Sequence, residues 1–247
     1  MANHDKFQLL LVKQRKNKEH ASLTISRYMI QSTEVIRLLG VNIDEYLIFS
    51  KHIGDLCKKA SKRVGVLSRL RNLIPTEAKL LLYKTSVLPY LTYCHLIWHF
   101  CKASDSRKVE RVQERALRIV FNSQSEEYSS LLKRAELPTL LNRRLQDIAI
   151  LMFKVKYGMV PDSVQDIFNI KTSNYCLRNR NFYLPRFESV NYGKHSLRYL
   201  GPYIWAKLDK MDKEKPSLQS FKACIRQKDL TDLIIDNNCS SCIMCNS

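Results

Sequence analysis

The apolar residues of this chain change their period near residue 50, and that change limits its possible folds more than any other feature. Upstream, Phe7 to Val12 is a compact apolar run that ends in the basic, turn-like Lys13-Gln14-Arg15-Lys16-Asn17-Lys18. Ser22-Leu23-Thr24-Ile25 alternates polar and apolar, as a half-buried strand does. The run from Val35 to Ile43 is rich in β-branched residues and holds one glycine, Gly40, the mark of a bulge or a close backbone approach inside a strand. So few strands make no stable sheet by themselves, and they read as the edge of something larger.

From His52 the spacing becomes helical. Ile53, Leu56, Ala60, Val64 and Leu67 recur every three or four residues, and Pro75 closes the segment. Thr76 can cap a second helix carrying Leu80, Leu81, Tyr83 and Val87, with a kink expected at Pro89. Ser104 or Ser106 can cap a third, whose seam is Val109, Val112, Ala116, Ile119 and Val120; a fourth runs from about Leu140 to Tyr157-Gly158. Beyond Pro161 the pattern loosens. Asp162 to Asn169 reads as a short helix, Tyr175 to Tyr203 as largely extended, and Ser217 to Arg226 as a last amphipathic helix. The expectation is an α+β protein, predominantly α-helical: a small N-terminal antiparallel strand segment, a helical bundle, and an irregular tail.

Charge narrows the partners. Forty-one Lys and Arg against 23 Asp and Glu leave a net charge of +18 on 247 residues. Such an excess implies a polyanion, because clustered cations gain Coulomb attraction and release counterions when they meet phosphates. The excess is concentrated. Residues 51–122 hold fifteen Lys and Arg against five Asp and Glu. Lys58, Lys62 and Arg69 fall near one face of the first helix, with Lys59, Arg63 and Arg71 beside them, while Arg107, Arg111, Arg115 and Arg118 form an i, i+4, i+8, i+11 stripe on the third. A charge run is usually a solvated face, and Glu114 can pair with Arg118, but across this stretch the cations outnumber the acidic residues three to one.

No apolar stretch is long and clean enough to span a bilayer, since Val87 to Phe100 is interrupted by Pro89, His95 and His99, and Met1 to Lys6 contains no signal-like run. Eight cysteines then read as reduced thiols of an intracellular chain, nuclear or cytoplasmic and not secreted. Cys239, Cys242 and Cys245 have a metal-like spacing, but zinc needs four ligands and no fourth follows, so a reduced tail is expected. His95 and His99 stand four apart with no glutamate of a metalloprotease pattern between them, which fits a core or rim role in an apolar helix.

Several phrases recur in a familiar order. Asn3-His4-Asp5-Lys6-Phe7, Leu38-Leu39-Gly40-Val41-Asn42-Ile43-Asp44, His52-Ile53 leading to Lys59-Ala60, Gln113-Glu114-Arg115-Ala116-Leu117-Arg118, and Gly201-Pro202-Tyr203-Ile204-Trp205 together resemble the C-terminal part of non-LTR (LINE-type, jockey-like) retrotransposon reverse transcriptases. The resemblance covers roughly residues 3–245, with Asp209 where that family's last phrase has a proline. It implies the end of a palm with its primer grip in residues 1–50, a helical thumb in 51–160 and a post-thumb region with a Cys-containing tail in 161–247. It further implies that Leu39 and Gly40 form the primer grip, that the cations just named contact RNA or an RNA/DNA duplex without reading sequence, and that Lys6 would steer the triphosphate in a complete enzyme.

The same resemblance shows what is missing. Polymerases of this kind hold Mg2+ on an Asp-Asp pair, and no two aspartates are adjacent in this chain. The chain is therefore expected to be a fragment that binds no cofactor itself, is inactive as a polymerase alone, and would need the upstream fingers and palm of the parent enzyme, which would carry the Mg2+. Two other readings remain open: a free-standing basic nucleic-acid-binding protein, and a helical scaffold whose charge serves protein partners.

Overall fold

The structure, a computed structural model, describes residues 7–12, 21–25, 27–168, 182, 184 and 196–234. The chain is α+β and predominantly helical, with two antiparallel strand pairs preceding the helices. It divides into two compact units: Met1–Cys94 with Cys101–Asn122, and His95–Phe100 with Ser123–Ser247.

The first unit opens with β1 (Ser22–Ile25) paired to β2 (Tyr28–Gln31), Ser22 opposite Gln31 and Ile25 opposite Tyr28. The alternation of β1 does put Leu23 and Ile25 beside Ile30 and Tyr28, but all four residues of β1 are exposed rather than half-buried. A two-stranded ribbon covers little of either face. Phe7 to Val12 is not a strand: it contributes one bridge, Leu9 to Ser32.

The expected strand from Val35 to Ile43 is instead a hairpin, β3 (Val35–Leu38) and β4 (Val41–Asp44), with Leu38 opposite Val41. Gly40 is therefore a turn residue and not a bulge. Leu39 and Gly40 have φ of 47° and 86°, the doubly left-handed geometry of a type I′ turn, whose twist matches that of the flanking strands.

Asp44 ends the hairpin and sets the course of the chain. Its Oδ1 accepts from the N–H groups of Tyr46 and Ile48, and its Oδ2 from that of Phe49 at 2.6 Å. Helix α1 (Ser50–Arg69) follows it and buries the expected seam of Ile53, Leu56, Ala60, Val64 and Leu67, together with His52. Each such apolar side chain contributes roughly 1.5–3 kcal/mol when fully buried. Helix α2 (Thr76–Leu82) starts with Thr76 as its first residue, after Pro75 in the capping position, so Thr76 is not the cap. A π-helical turn at Tyr83–Val87 joins it to α3 (Leu88–Thr92). The expected kink at Pro89 is displaced into that turn. Proline cannot donate to the carbonyl four residues back and its ring crowds it, and the widened turn makes room; Pro89 itself sits in the first turn of α3. The hydroxyls of Thr85 and Ser86 donate to the carbonyls of Leu81 and Leu82 at 2.8 and 2.5 Å.

Helix α4 (Ala103–Val120) follows Lys102, so neither Ser104 nor Ser106 caps it; it buries Val109, Val112, Ala116, Leu117 and Val120 and packs on α1. Asp105, buried in its first turn, accepts from the Ser50 hydroxyl at 2.5 Å and from Lys108 at 2.7 Å.

The second unit is built on α6 (Leu140–Lys156), capped by Thr139, whose hydroxyl accepts from the N–H of Asn142 at 3.1 Å. Before it lies α5 (Tyr128–Ala135), which the sequence pattern did not announce, and after it α7 (Asp162–Gln165), shorter than expected. Helix α8 (Leu197–Lys207) overturns the extended reading of its segment: Leu200, Ile204 and Trp205 bury against α6, and that burial outweighs the cost of Gly201 and Pro202 inside a helix. Short α9 (Lys210–Lys213) leads to the expected last helix, α10 (Leu218–Arg226), which begins one residue later than expected because Ser217 caps it. Phe153 of α6 stacks on Phe221 of α10 with ring centroids 4.5 Å apart. The segment 93–100 is a series of turns and not an apolar helix. Its His95 is buried and meets Asp147 Oδ2 at 2.8 Å, and its His99 Nδ1 lies 2.6 Å from the Leu96 carbonyl, so a structural role in packing stands. No described helix is long and apolar enough to cross a membrane.

Candidate nucleic-acid interface

The buried seam of α1 fixes where its cations go. A period of 3.6 residues puts Lys58, Lys62 and Arg69 opposite Ile53, Ala60 and Leu67, and all three cations are exposed. Lys59 and Arg63 sit a quarter-turn away, also exposed. On α4 the same logic turns Arg107, Arg111 and Arg115 away from Val109, Val112 and Ala116 into solvent. None of these eight side chains forms an ion pair among the described residues. Like charges four apart on a helix repel by about 0.2–0.5 kcal/mol per pair, so the stripe opposes folding slightly unless anions meet it. Two other cations are engaged within the unit. Arg118 pairs with Glu114 at 2.7 Å, and Arg71 donates from Nε to the Asn122 side-chain oxygen at 2.8 Å, joining the ends of α1 and α4.

Leu39 stands at the tip of the β3–β4 turn, 83% exposed, and a Cβ at Gly40 beside it would lie 3.6 Å from the Tyr93 ring. Between this hairpin, α1 and α3 lies a groove of about 540 Å³. Arg37, Asn42, Asp55, Lys59, Tyr90 and Tyr93 line it. Arg63 lies over the Tyr90 ring, 5.8 Å from its centroid. His52 closes the groove's floor: its Nδ1 accepts from the backbone N–H of Asn42 at 3.3 Å, and burial, aided by the Lys59 charge against that of Asp55, lowers its pKa so that the ring is neutral at pH 7. Sequence periodicity does not reveal this groove, because Arg37, Asp55 and Tyr90 meet only once the hairpin folds onto α1 and α3. Lys6, Cys239, Cys242 and Cys245 lie outside the described residues.

No two aspartates are adjacent in the sequence. Asp44, the last residue of β4, commits both oxygens to backbone N–H groups. What the fold and the charge define is a basic, mainly helical α+β protein with exposed cationic faces on α1 and α4. No family model, curated protein or solved structure matches the chain.

Proposed function

We propose that this chain binds nucleic-acid duplexes through sequence-independent phosphate contacts, as the primer-grip and thumb part of a LINE-type reverse transcriptase. The observation that carries the reading is the row of Arg107, Arg111 and Arg115 on α4: exposed, opposite the buried seam, and without an ion pair among the described residues. Arginine's planar fork suits phosphate oxygens, and contacts of this kind position a duplex without reading its bases. Lys58, Lys59, Lys62, Arg63 and Arg69 extend the cationic surface along α1. Leu39 and Gly40, at a projecting hairpin tip, suit contact with the primer end of such a duplex, as the resemblance implies. This reading places the chain in an intracellular compartment with RNA or an RNA/DNA hybrid as its partner, and no polymerase chemistry is assigned to the chain itself.

A salt titration of duplex binding tests it. Log affinity should fall linearly with log salt, by about 0.9 for each phosphate neutralised on B-DNA. Changing Arg107, Arg111 and Arg115 together to Gln should flatten that slope by about two to three units, with circular dichroism unchanged because Gln keeps good helix propensity. Weak, salt-insensitive binding would favour the protein scaffold instead.

A further inference from the structure

We propose that the groove between the β3–β4 hairpin, α1 and α3 holds a single unpaired nucleotide of a bound strand, with guanine the preferred base. The inference rests on the nucleic-acid reading above and adds to it a site for one base. Its volume, about 540 Å³, lies within the range of about 300–1,000 Å³ typical of pockets for small molecules the size of a nucleotide.

The lining has the three components a nucleotide requires. Arg37 and Lys59 are exposed cations on the rim, neither forming an ion pair among the described residues, and can take the phosphate. Tyr90 and Tyr93 offer aromatic faces for a base, since stacking on such faces tolerates any base and adds affinity. Both rings are held in place. Tyr93 donates its hydroxyl to the Leu39 carbonyl at 2.6 Å, and the Tyr90 hydroxyl accepts from Arg63 at 3.4 Å.

The third component is Asp55, which supplies the base preference. Its Oδ2 accepts from the Asn42 side-chain amide at 3.0 Å, while Oδ1 has no hydrogen-bond partner among the described residues. Lys59, one turn on, forms no ion pair with it. A carboxylate only accepts, so it matches an edge with two adjacent donors. Guanine offers N1–H beside its N2 amino group; adenine and cytosine each pair one donor with an acceptor, and uracil has one donor between two acceptors.

Leu39 completes the arrangement. An exposed apolar side chain on a projecting turn can wedge between base pairs and unstack the one beside it, which lowers the cost of releasing a nucleotide into the groove.

The test compares, by fluorescence anisotropy, a fully paired RNA/DNA duplex with the same duplex carrying one unpaired G or one unpaired A, and measures GMP and AMP alone by ligand-observed NMR. The unpaired-G duplex should bind about tenfold tighter than the paired one. GMP should give a stronger signal than AMP, and Asp55→Asn should remove the G-over-A difference in both assays, with circular dichroism as the folding control. Equal affinity for all three duplexes with no GMP signal overturns the groove site, even if paired-duplex binding keeps its salt slope. A folded Asp55→Asn protein that keeps the G preference overturns the role of Asp55. GMP binding without salt-dependent duplex binding would sustain the groove and remove the phosphate-binding reading. Failure of every ligand would remove both.

Discussion

Tyr93 donates its hydroxyl to the backbone carbonyl of Leu39 at 2.6 Å, tying the tip of the β3–β4 hairpin to the residue that follows α3. The tie holds an unfavourable turn. Gly40 adopts its left-handed φ of 86° readily, but Leu39 at 47° brings its Cβ toward the following carbonyl, at a cost on the order of 1–2 kcal/mol. Leu39 recovers none of that by burial, being 83% exposed. A side chain both conformationally costly and solvated is better explained by a contact outside the chain than by folding.

Leu39→Asn should therefore raise the melting temperature while weakening nucleic-acid binding. Asn-Gly is the preferred pair for a type I′ turn, and relief of the left-handed Leu should stabilise by about 1 kcal/mol. Thermal melts followed by circular dichroism, with anisotropy on the same samples, read the two effects separately. A lower melting temperature would show that the turn carries no such cost, and undiminished binding would take Leu39 out of the interface.

The parts of this fold legible in the sequence were those where one periodicity met one burial face. Ile53, Leu56, Ala60, Val64 and Leu67 predicted α1, and the run from Leu140 to Tyr157-Gly158 bounded α6, because an apolar seam and a glycine at φ 66° agree there. Legibility failed where a local signal met a tertiary one. Gly201-Pro202 reads as a break, yet Leu200, Ile204 and Trp205 bury deeply enough against α6 to keep the helix continuous. Gly40 reads as a bulge because the run on both sides of it is apolar, and only the pairing of Leu38 with Val41 makes it a turn. The cationic stripes were visible because charge at helical spacing needs no partner to be seen. The groove was not, since its residues come from three elements.

Tyr83 and Gln113 carry a second prediction. Both are almost fully buried, at 0% and 1% exposure, and the Tyr83 hydroxyl donates to Gln113 Oε1 at 2.6 Å, linking the π-helical turn to α4. Tyr83→Phe keeps the ring and removes only this donor. It should cost about 1–3 kcal/mol, seen as a lower urea midpoint with an unchanged slope. A midpoint shift below a few tenths of a kcal/mol would mean the bond contributes nothing net.

Acid should loosen the second unit through two carboxylates. Burial alone would raise Asp147, but the hydrogen bond from His95, the charge of Arg226 and the charge of His95 together outweigh it and hold the carboxyl below its ordinary value of 3.8. Asp212 follows the same pattern, with burial opposed by Lys228 and by the Cys224 thiol donating at 3.1 Å. A carboxyl whose pKa is depressed by folding stabilises the native state above its unfolded value and loses that contribution as pH falls through the folded one. Stability should thus hold above about pH 4 and decline below it. Asp147→Asn should lower stability at pH 7 and shrink the acid-dependent part of the decline. An identical pH profile for wild type and Asp147→Asn, by urea denaturation across pH, would remove Asp147 from the linkage.

Gly201 gives the sharpest test of the second unit's packing. Alanine is ordinarily the better helix former, by about 1 kcal/mol at an interior site, so propensity alone predicts that Gly201→Ala stabilises α8. The packing predicts the reverse. A Cβ at this position would lie 2.6 Å from Met152 Sδ, 3.1 Å from Phe168 Cε1 and 3.3 Å from Met152 Cγ, and Met152 is fully buried in α6. Overpacking of that kind costs roughly 1–3 kcal/mol, which exceeds the gain in propensity. Gly201→Ala should therefore lower the melting temperature. Met152→Val removes the sulfur that the new Cβ meets, at the cost of a small cavity of its own, so the pair should be less destabilised than the sum of the two single changes. A double-mutant cycle by urea denaturation measures that difference. Strict additivity, or a stabilising Gly201→Ala, would mean that α8 and α6 do not approach each other at Gly201 as closely as the structure has them.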